Sequence, residues 1–375
     1  MNTKFYFAAL AVAAMTVTSC SSDETVDIQK GTEISFNVTA GKASRVGGTA
    51  TTTSSISAFR TYATASNKKD AYLIDGVTLS KGAQTSDPWS FDDNVNRYWP
   101  TNATVDFWSY SPATPQSGTV NHADGAALSI AGYTANGAED LLYAYNKECN
   151  RNTGSGIVPV NFRHALSQIV FKARNLNKDL KVEITDVVVS NVATTGDLTW
   201  ATETTAAHLA SNTGADTEQE GTWGTWTVAE ALGSYDADVK AVTLEGKKET
   251  AVDLTTNAGG SALFLMPQTL NPWAPTTPAG NGSKLLVKCK VTDIKSGVQI
   301  WPANNAEAAD VAISLKAGDE NKWKQGKIYV YTLSFGDGAG FVPDSGDPVL
   351  ALIKLSVTVD EFQNGSEWDV PMNEK

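Results

Sequence analysis

Three histidines are the first candidates for chemistry in this sequence: His122, His164 and His208. No two of them have the short spacing of a zinc site, and the chain contains no Cys-x-x-Cys pair. A Gly-x-Ser-x-Gly nucleophile elbow and a Walker-type phosphate loop are also absent from the sequence. His164 follows Arg163 near the middle of the chain, and we interpret it as a structural histidine rather than a catalytic one.

Adjacent carboxylates are the second candidates, because paired acids hydrolyse glycosides. Such pairs occur at Asp92-Asp93 and Glu139-Asp140, but 41 acidic residues make adjacency common. Neighbouring side chains on a strand also face opposite ways. The Asp- and Gly-bearing loop 336–347 lacks the regular ligand spacing of a calcium loop. We therefore predict no enzyme activity, no metal site and no cofactor.

Ten tryptophans raise the question of sugar binding, since an exposed indole ring stacks on a sugar ring. The alternative is that the rings fill the protein core. Trp89, Trp99 and Trp108 lie in or beside predicted strands, which favours the core for most of them.

Two cysteines, Cys149 and Cys289, follow the N-terminal region and leave two interpretations open. A disulfide between them suits an oxidising compartment. Against it, Cys289 shares a predicted strand face with Leu285, Val287 and Val291, as a small buried hydrophobe does. Cys149 falls in a predicted polar loop. We favour two unpaired thiols.

The pattern of residues at the N-terminus is typical of a lipoprotein signal peptide. Lys4 precedes an apolar run from residue 5 to 17, too short to span a bilayer. Small residues then lead into Cys20, as in a bacterial lipobox, and acidic residues follow at 23 and 24. We predict a signal peptide at 1–19, lipidation of Cys20 and a polar tether at 20–31.

The overall charge limits the partners of the chain. The formal net charge is −12 and the sequence pI is about 4.8. Nucleic acids and anionic membrane surfaces attract basic patches, so neither is an expected partner.

Short alternating segments dominate the rest of the chain and predict an all-β protein. Their spacing, without helical periodicity, is typical of two β-sandwich domains, which we place at 32–165 and 166–375. The stretch 158–174 marks the boundary, with a break in alternation at 162–166. Loops are predicted at 113–138 and 146–156, and a loop with a hairpin at 201–233. Strands are predicted at 34–38, 56–64, 71–79, 105–112, 140–144, 168–174, 181–190, 261–266, 284–293, 327–335 and 350–359.

Two predicted strands, at opposite ends of the chain, have functional interest. Ile34, Phe36 and Val38 alternate cleanly, and a polar, exposed loop with a single arginine, Arg45, follows them. The last strand presents apolar side chains on one face: Ile353, Leu355, Val357 and Val359. Such a strand needs an apolar groove, either in its own domain or in a neighbouring molecule.

In several motifs, taken in order, the sequence resembles the fimbrillin family of Bacteroidota, the type V pilus proteins. The motifs span most of the chain and stand behind the lipobox. They are Tyr98-Trp99-Pro100, Val105-Asp106-Phe107-Trp108-Ser109-Tyr110-Ser111-Pro112, Asp140-Leu141-Leu142-Tyr143-Ala144, Val160-Asn161-Phe162-Arg163-His164-Ala165-Leu166-Ser167-Gln168-Ile169, Leu265-Met266-Pro267-Gln268 and Trp323-Lys324-Gln325-Gly326-Lys327-Ile328-Tyr329-Val330-Tyr331.

The resemblance implies two tandem, transthyretin-like β-sandwich domains and a surface fimbrial subunit without enzyme activity. It implies export as an outer-membrane lipoprotein with a lipid such as palmitate on Cys20. An arginine-specific protease is then expected to cut between Arg45 and Val46 and release the strand of Ile34, Phe36 and Val38. The strand 353–359 is the expected donor to a neighbouring subunit.

A second interpretation of the same sequence is a surface lipoprotein that binds a glycan or a host ligand and never polymerises. The first interpretation predicts other fimbrial subunits as partners, a membrane contact through Cys20 in the precursor, and a surface ligand of host or bacterial origin. The two differ in the N-terminus of the surface form, which is Val46 in the first and lipidated Cys20 in the second.

Overall fold

The all-β prediction is confirmed by the computed structural model. It describes residues 31–40, 55–82, 87–122, 127–200, 224–255, 262–303, 306–336, 340–349, 353–361 and 369–370. Within these ranges the regular elements are strands and one 3₁₀ turn at Thr153–Gly156. No helix in the described part of the chain has the length and apolar character needed to cross a bilayer.

The described residues of the N-terminal half form nine strands. They are β1 (Ser35–Ala40), β2 (Ala58–Ala65), β3 (Lys68–Lys81), β4 (Trp89–Phe91), β5 (Val105–Ser111), β6 (Thr119–Asn121), β7 (Ser129–Thr134), β8 (Leu142–Cys149) and β9 (Ile157–His164). Seven of them form one sheet in the order β1-β9-β8-β5-β2-β3-β4. Strands β1 and β9 are parallel, whereas the other neighbours are antiparallel.

In the C-terminal half, the parts of the chain that the structure describes form sixteen strands. They are β10 (Ser167–Asn175), β11 (Leu180–Ala193), β12 (Thr195–Thr199), β13 (Thr225–Val228), β14 (Leu232–Asp236), β15 (Val242–Glu245), β16 (Lys248–Asp253), β17 (Leu263–Leu265), β18 (Lys284–Asp293), β19 (Gln299–Trp301), β20 (Ala309–Ser314), β21 (Lys327–Phe335), β22 (Gly340–Phe341), β23 (Pro348–Val349), β24 (Ile353–Glu361) and β25 (Asp369–Val370).

These strands build two larger sheets and share a small one. The first has the order β16-β10-β21-β24-β25, with β17 also paired to β10. The second has the order β14-β11-β18-β20-β22-β23, with β15 on β11 and β19 on β18. A four-stranded sheet, β13-β12-β7-β6, joins strands from both halves of the chain.

The buried apolar side chains of the described residues form two hydrophobic cores. One is formed by residues between Ile34 and Phe162, on the inner face of the seven-stranded sheet. The other combines the C-terminal sheets with Trp108, Tyr110 and Tyr143 from the opposite face of that sheet. Strand β7 precedes residue 165 yet pairs with β12, which follows it. The division into domains at 32–165 and 166–375 stays a prediction.

Several predicted loops are strands in the structure. The segment 113–138 contains β6 and β7, and β8 runs on to Cys149 into the predicted loop 146–156. Strand β9 continues through Phe162 to His164, where a break was predicted. The reason is that β9 is buried on both faces from Val160 onward, so it shows no alternation of polar and apolar residues.

Candidate functional site

The N-terminal strand β1 is an edge strand whose inner face belongs to the protein core. Its in-register neighbour is β9, from Ser35–Ile157 to Ala40–Phe162. Ile34, Phe36 and Val38 are buried, while Glu33, Ser35 and Asn37 are exposed between them. This alternation is the one read from the sequence, and it makes β1 a ribbon with one apolar and one polar face.

On its other side, the start of β1 meets a short segment that follows β4. The backbone N–H of Ile34 donates to the carbonyl of Arg97 at 2.8 Å, and that of Trp99 donates to the carbonyl of Thr32 at 2.9 Å. The Glu33 carboxylate accepts a hydrogen bond from the Asn96 side chain at 2.9 Å. Strand β1 therefore pairs with β9, while the residues just before it, 32–34, bond to the segment 96–99.

Phe36 is the anchor of β1. Its ring meets three phenylalanine rings from β2, β4 and β5 in edge-to-face geometry, with centroid distances of 5.8 Å to Phe59, 5.9 Å to Phe91 and 5.8 Å to Phe107. Phe59 and Phe107 are fully buried. We call these three rings the Phe36 socket.

The other candidate strand, β24, is docked on its own sheet. It runs antiparallel to β21 and pairs with all nine residues of that strand, from Lys327–Glu361 to Phe335–Ile353. Ile353, Leu355 and Val357 are buried and Val359 is half-buried. Strand β25 pairs with its other edge at Val357 and Thr358. Both edges of β24 are thus at least partly paired.

Three site residues predicted from the sequence, Cys20, Arg45 and Val46, lie outside the described residues. The structure places the remaining two groups far apart in the fold: the residues of β1 belong to the first core and those of β24 to the second. The socket residues Phe91 and Phe107 and the segment 97–99 were not predicted to meet β1. Their alternation marks them as inward-facing, but the fold alone brings them together.

His164 ends β9 beside the carboxylate of Asp140. Its Nδ1 atom donates to the two carboxylate oxygens, at 2.9 and 3.0 Å, and both side chains are buried. His122 packs elsewhere, with its ring 5.2 Å from Tyr62, 4.4 Å from Tyr72 and 5.0 Å from Trp108. His208 lies outside the described residues. The two described histidines are thus set in packed environments.

The cysteines Cys149 and Cys289 are both free and buried. Cys289 lies in β18 with the apolar neighbours predicted for it, whereas Cys149 ends β8 instead of lying in a loop. Burial raises the pKa of each thiol to about 12, and nearby Asp106 and Asp310 add to the shift at Cys149 and Cys289, respectively.

The adjacent carboxylates are engaged in separate local contacts. Asp93 accepts a 2.6 Å hydrogen bond from Arg97, which lowers the pKa of that carboxyl to about 2. Glu139 accepts hydrogen bonds from the Gln116 backbone at 3.0 Å and the Tyr133 hydroxyl at 3.1 Å, and burial raises its pKa. Within the described ranges, no group of three or more His, Cys, Asp or Glu side chains is arranged to hold a metal ion.

Most of the described tryptophans are core residues. Five of the eight described indole rings are buried and three, Trp89, Trp226 and Trp301, are half-buried. Trp223 and Trp368 lie outside the described residues. Several rings also tie segments together, since Trp200 Nε1 donates to the carbonyl of Ala144 at 3.1 Å and Trp226 Nε1 to that of Ala165 at 2.7 Å.

Comparisons with known proteins agree with the architecture. A model of the fimbrillin-like family matches residues 44–360. No protein of curated function matches the sequence. A fimbrial protein of Bacteroides vulgatus superposes with a TM-score of 0.53 at 15% identity, covering 88% of this chain and 99% of that one. At this identity the likeness shows a shared fold.

Two further solved structures are similar over comparable lengths. A protein of Bacteroides uniformis assigned to cell adhesion has 15% identity and a TM-score of 0.45, covering 88% of this chain and 99% of its own. The fimbrial anchor protein of Porphyromonas gingivalis has 9% identity and a TM-score of 0.35, covering 88% and 98%.

Proposed function

Because this chain belongs to the fimbrillin-like family, whose model spans residues 44–360, we propose that it is a structural or adhesive subunit of a cell-surface fimbria. The family is one of fimbrial and adhesion proteins rather than of enzymes. Other fimbrial subunits are its partners, and the ligand of the assembled fimbria is a host or bacterial surface.

The subunit reaches the surface as a lipoprotein. The signal peptide is removed before Cys20, and the lipid on that cysteine holds the precursor in the outer membrane. An arginine-specific protease then cuts between Arg45 and Val46. The family match begins at residue 44 and leaves β1 outside it, which supports a mature chain that starts beyond this strand.

Assembly proceeds by exchange of strands between subunits. The observation that carries this proposal is the position of β1 at a sheet edge with Ile34, Phe36 and Val38 buried. Loss of β1 leaves the ladder groups of β9 unpaired and the first core open, which a donor strand remedies. Burying three such side chains again contributes about 1.5–3 kcal/mol each.

The strand that this chain donates to a neighbouring subunit is β24. Its inner face carries the same alternation as β1, with Ile353, Leu355 and Val357 buried in its own sheet. Donation therefore requires β24 to leave β21 first.

An N-terminal analysis of the surface form tests this scheme. Arg45→Ala is compared with Arg151→Ala, which removes an exposed arginine from a turn between β8 and β9. We expect the control to mature to Val46 and to form SDS-resistant oligomers. Arg45→Ala should retain lipidated Cys20 as its N-terminus and remain monomeric, and deletion of residues 350–375 should also prevent oligomers. Normal oligomer ladders from both the Arg45→Ala and the deletion variants would refute strand exchange.

The N-terminal residue of the surface form also distinguishes this proposal from the alternative of a non-polymerising surface lipoprotein. In that case the wild-type surface form itself would begin at lipidated Cys20. Cys20→Ser, which removes the lipidated thiol, is expected to abolish incorporation of a labelled fatty acid in either case.

A further inference from the structure

The Phe36 socket is a rigid site for one aromatic side chain. The socket rings contact Phe36 with interplanar angles of 71°, 84° and 89°. Edge-to-face aromatic pairs add stabilisation beyond the apolar area they bury. A phenyl ring at this position therefore makes three directional contacts that an aliphatic side chain cannot make.

Two of the three socket rings also pack against further aromatic residues. Phe59 also packs against Trp89 at 4.9 Å and against Phe162 at 5.6 Å. Phe107 packs against Trp99 at 5.8 Å. Close-packed interiors relax only in part around a missing group, so a smaller side chain in place of Phe36 leaves a void and loses contacts.

The candidate donor strand of this chain carries no aromatic residue at its inner positions. Those positions are Ile353, Leu355, Val357 and Val359. Because strand side chains alternate with period 2, every register that keeps the apolar face inward puts isoleucine, leucine or valine in the socket. Phe362 follows an odd spacing from Val359 and falls on the opposite face of a continued strand.

We infer that the groove beneath β1 selects a donor strand with an aromatic side chain at its central inward position. The preferred donor is therefore a different subunit, with an aliphatic-aromatic-aliphatic pattern like that of Ile34, Phe36 and Val38, rather than a second copy of this chain. This inference rests on the proposed strand exchange and adds the chemistry of the partner strand.

Peptide binding to the clipped protein tests the selectivity. The full-length Cys20→Ser chain is cut after Arg45 with an arginine-specific protease, and the released segment is removed in mild urea. Labelled peptides are then titrated by fluorescence anisotropy. One pair is residues 33–40 and the same peptide with Phe36→Leu. The other set is residues 353–361 with no change, with Leu355→Phe, with Val357→Phe, or with Ser356→Phe as the outward-facing control.

We expect the peptide with Phe36 to bind roughly tenfold or more tightly than its leucine version. At least one of Leu355→Phe and Val357→Phe should improve binding of the 353–361 peptide by a similar factor, while Ser356→Phe should not. Far-UV circular dichroism of the stripped chain verifies that it remains folded.

The outcomes separate the inference from the proposed function. Equal affinities of the phenylalanine and leucine peptides would overturn the selectivity and leave strand exchange intact. An unchanged 353–361 peptide as tight as the 33–40 peptide would also overturn it, because the groove would then accept its own chain. If no peptide bound to the folded, stripped chain, the groove would not accept a donor strand. That result would refute both the selectivity and the proposed strand exchange.

Discussion

The Nδ1 atom of His164 lies 2.9 and 3.0 Å from the two carboxylate oxygens of Asp140, and both side chains are buried. The contact joins the end of β9 to the residues just before β8. Removing the donor or the acceptor of a buried hydrogen bond costs about 1–3 kcal/mol. The pair therefore has a structural role that mutation can measure.

We predict that His164→Gln and Asp140→Asn each lower the free energy of unfolding by about 1–3 kcal/mol. Because the two groups interact directly, the double variant should lose less than the sum of the single losses. Urea denaturation followed by tryptophan fluorescence measures all three. Asp75→Asn, at an exposed position of β3, serves as the control and should change little. Strictly additive losses would show that the two residues act separately.

A second prediction concerns Gly76, where β3 passes beneath the ring of Tyr62. Gly76 has a φ of 60°, and an added Cβ would lie 2.6 Å from the ring carbon Cζ of Tyr62. Gly297 has a φ of 68°, with no atom within 4 Å of an added Cβ. Alanine at either position strains the backbone, but only at Gly76 does it also collide with a side chain.

Gly76→Ala should therefore destabilise the protein more than Gly297→Ala, by about 1 kcal/mol or more, measured by urea denaturation. A Tyr62→Ala background removes the colliding ring and should bring the two alanine substitutions to similar costs. The explanation fails if the difference between the two glycines persists in that background.

A third prediction follows from the buried thiols of Cys149 and Cys289. Burial raises the pKa of each thiol to about 12, so at pH 8 both remain protonated and poorly nucleophilic. In a Cys20→Ser chain, Ellman's reagent should react with neither thiol in the native state and with both after unfolding in guanidinium chloride. Val298→Cys adds an exposed thiol as a positive control. Rapid labelling of two thiols in the native protein would contradict the burial.

The raised pKa of these two thiols also determines how the stability of the protein changes with pH. A thiol whose folded-state pKa is raised contributes stability that is fully present below its ordinary pKa near 9 and lost as the pH rises toward about 12. Cys289→Ala should accordingly flatten the decline of stability above pH 9, although it also removes buried volume.

A fourth prediction tests whether β24 must leave its own sheet before assembly. Thr332 of β21 and Ser356 of β24 face each other in the antiparallel register, and both are half-buried. Directly opposed residues of antiparallel strands have Cα separations that a disulfide can span. The variant with Thr332→Cys and Ser356→Cys should form a bond that holds β24 in place.

We expect the oxidised double-cysteine variant to mature normally but to form no SDS-resistant oligomers. Reduction with dithiothreitol should restore them, and each single-cysteine variant should assemble under both conditions. The buried native thiols do not compete for the new bond under these conditions. Assembly of the oxidised variant at the wild-type rate would mean that β24 is not the donor.

The strands that sequence alone located well carry a strong local pattern, either alternating or rich in aromatic and β-branched residues. The predicted bounds 284–293 and 327–335 coincide with β18 and β21, and β1 was placed within two residues of its bounds. In β1 and β18 the burial pattern repeats every second residue, which is the information that a sequence carries most directly. Strand β21 is buried at most positions on both faces and is marked in the sequence by its aromatic and β-branched residues.

The strands that were not predicted lack a strong local sequence pattern. Strands β6 and β13 are exposed or half-buried along their length, and β7 contains a glycine with positive φ at position 132. Strand β7 also has a remote partner, since it pairs with β12 about 65 residues later. Pairing across such a distance follows from tertiary packing and leaves no local pattern.

The candidate site was likewise predictable only in part. The alternation at Ile34, Phe36 and Val38 showed which side chains of β1 face inward. The convergence of Phe59, Phe91 and Phe107 on one ring is a property of the folded sheet, because the three residues come from β2, β4 and β5.

The antiparallel ladder between β21 and β24 also determines how the protein responds to mechanical load. Every residue of β21 has a partner on β24. A pull along the axis of β24 loads these hydrogen bonds in shear, so they share the force and must break together. A pull across the axis opens the ladder one bond at a time, from one end. The docked strand thus resists traction along its own axis but yields to peeling, and peeling is the motion that frees it.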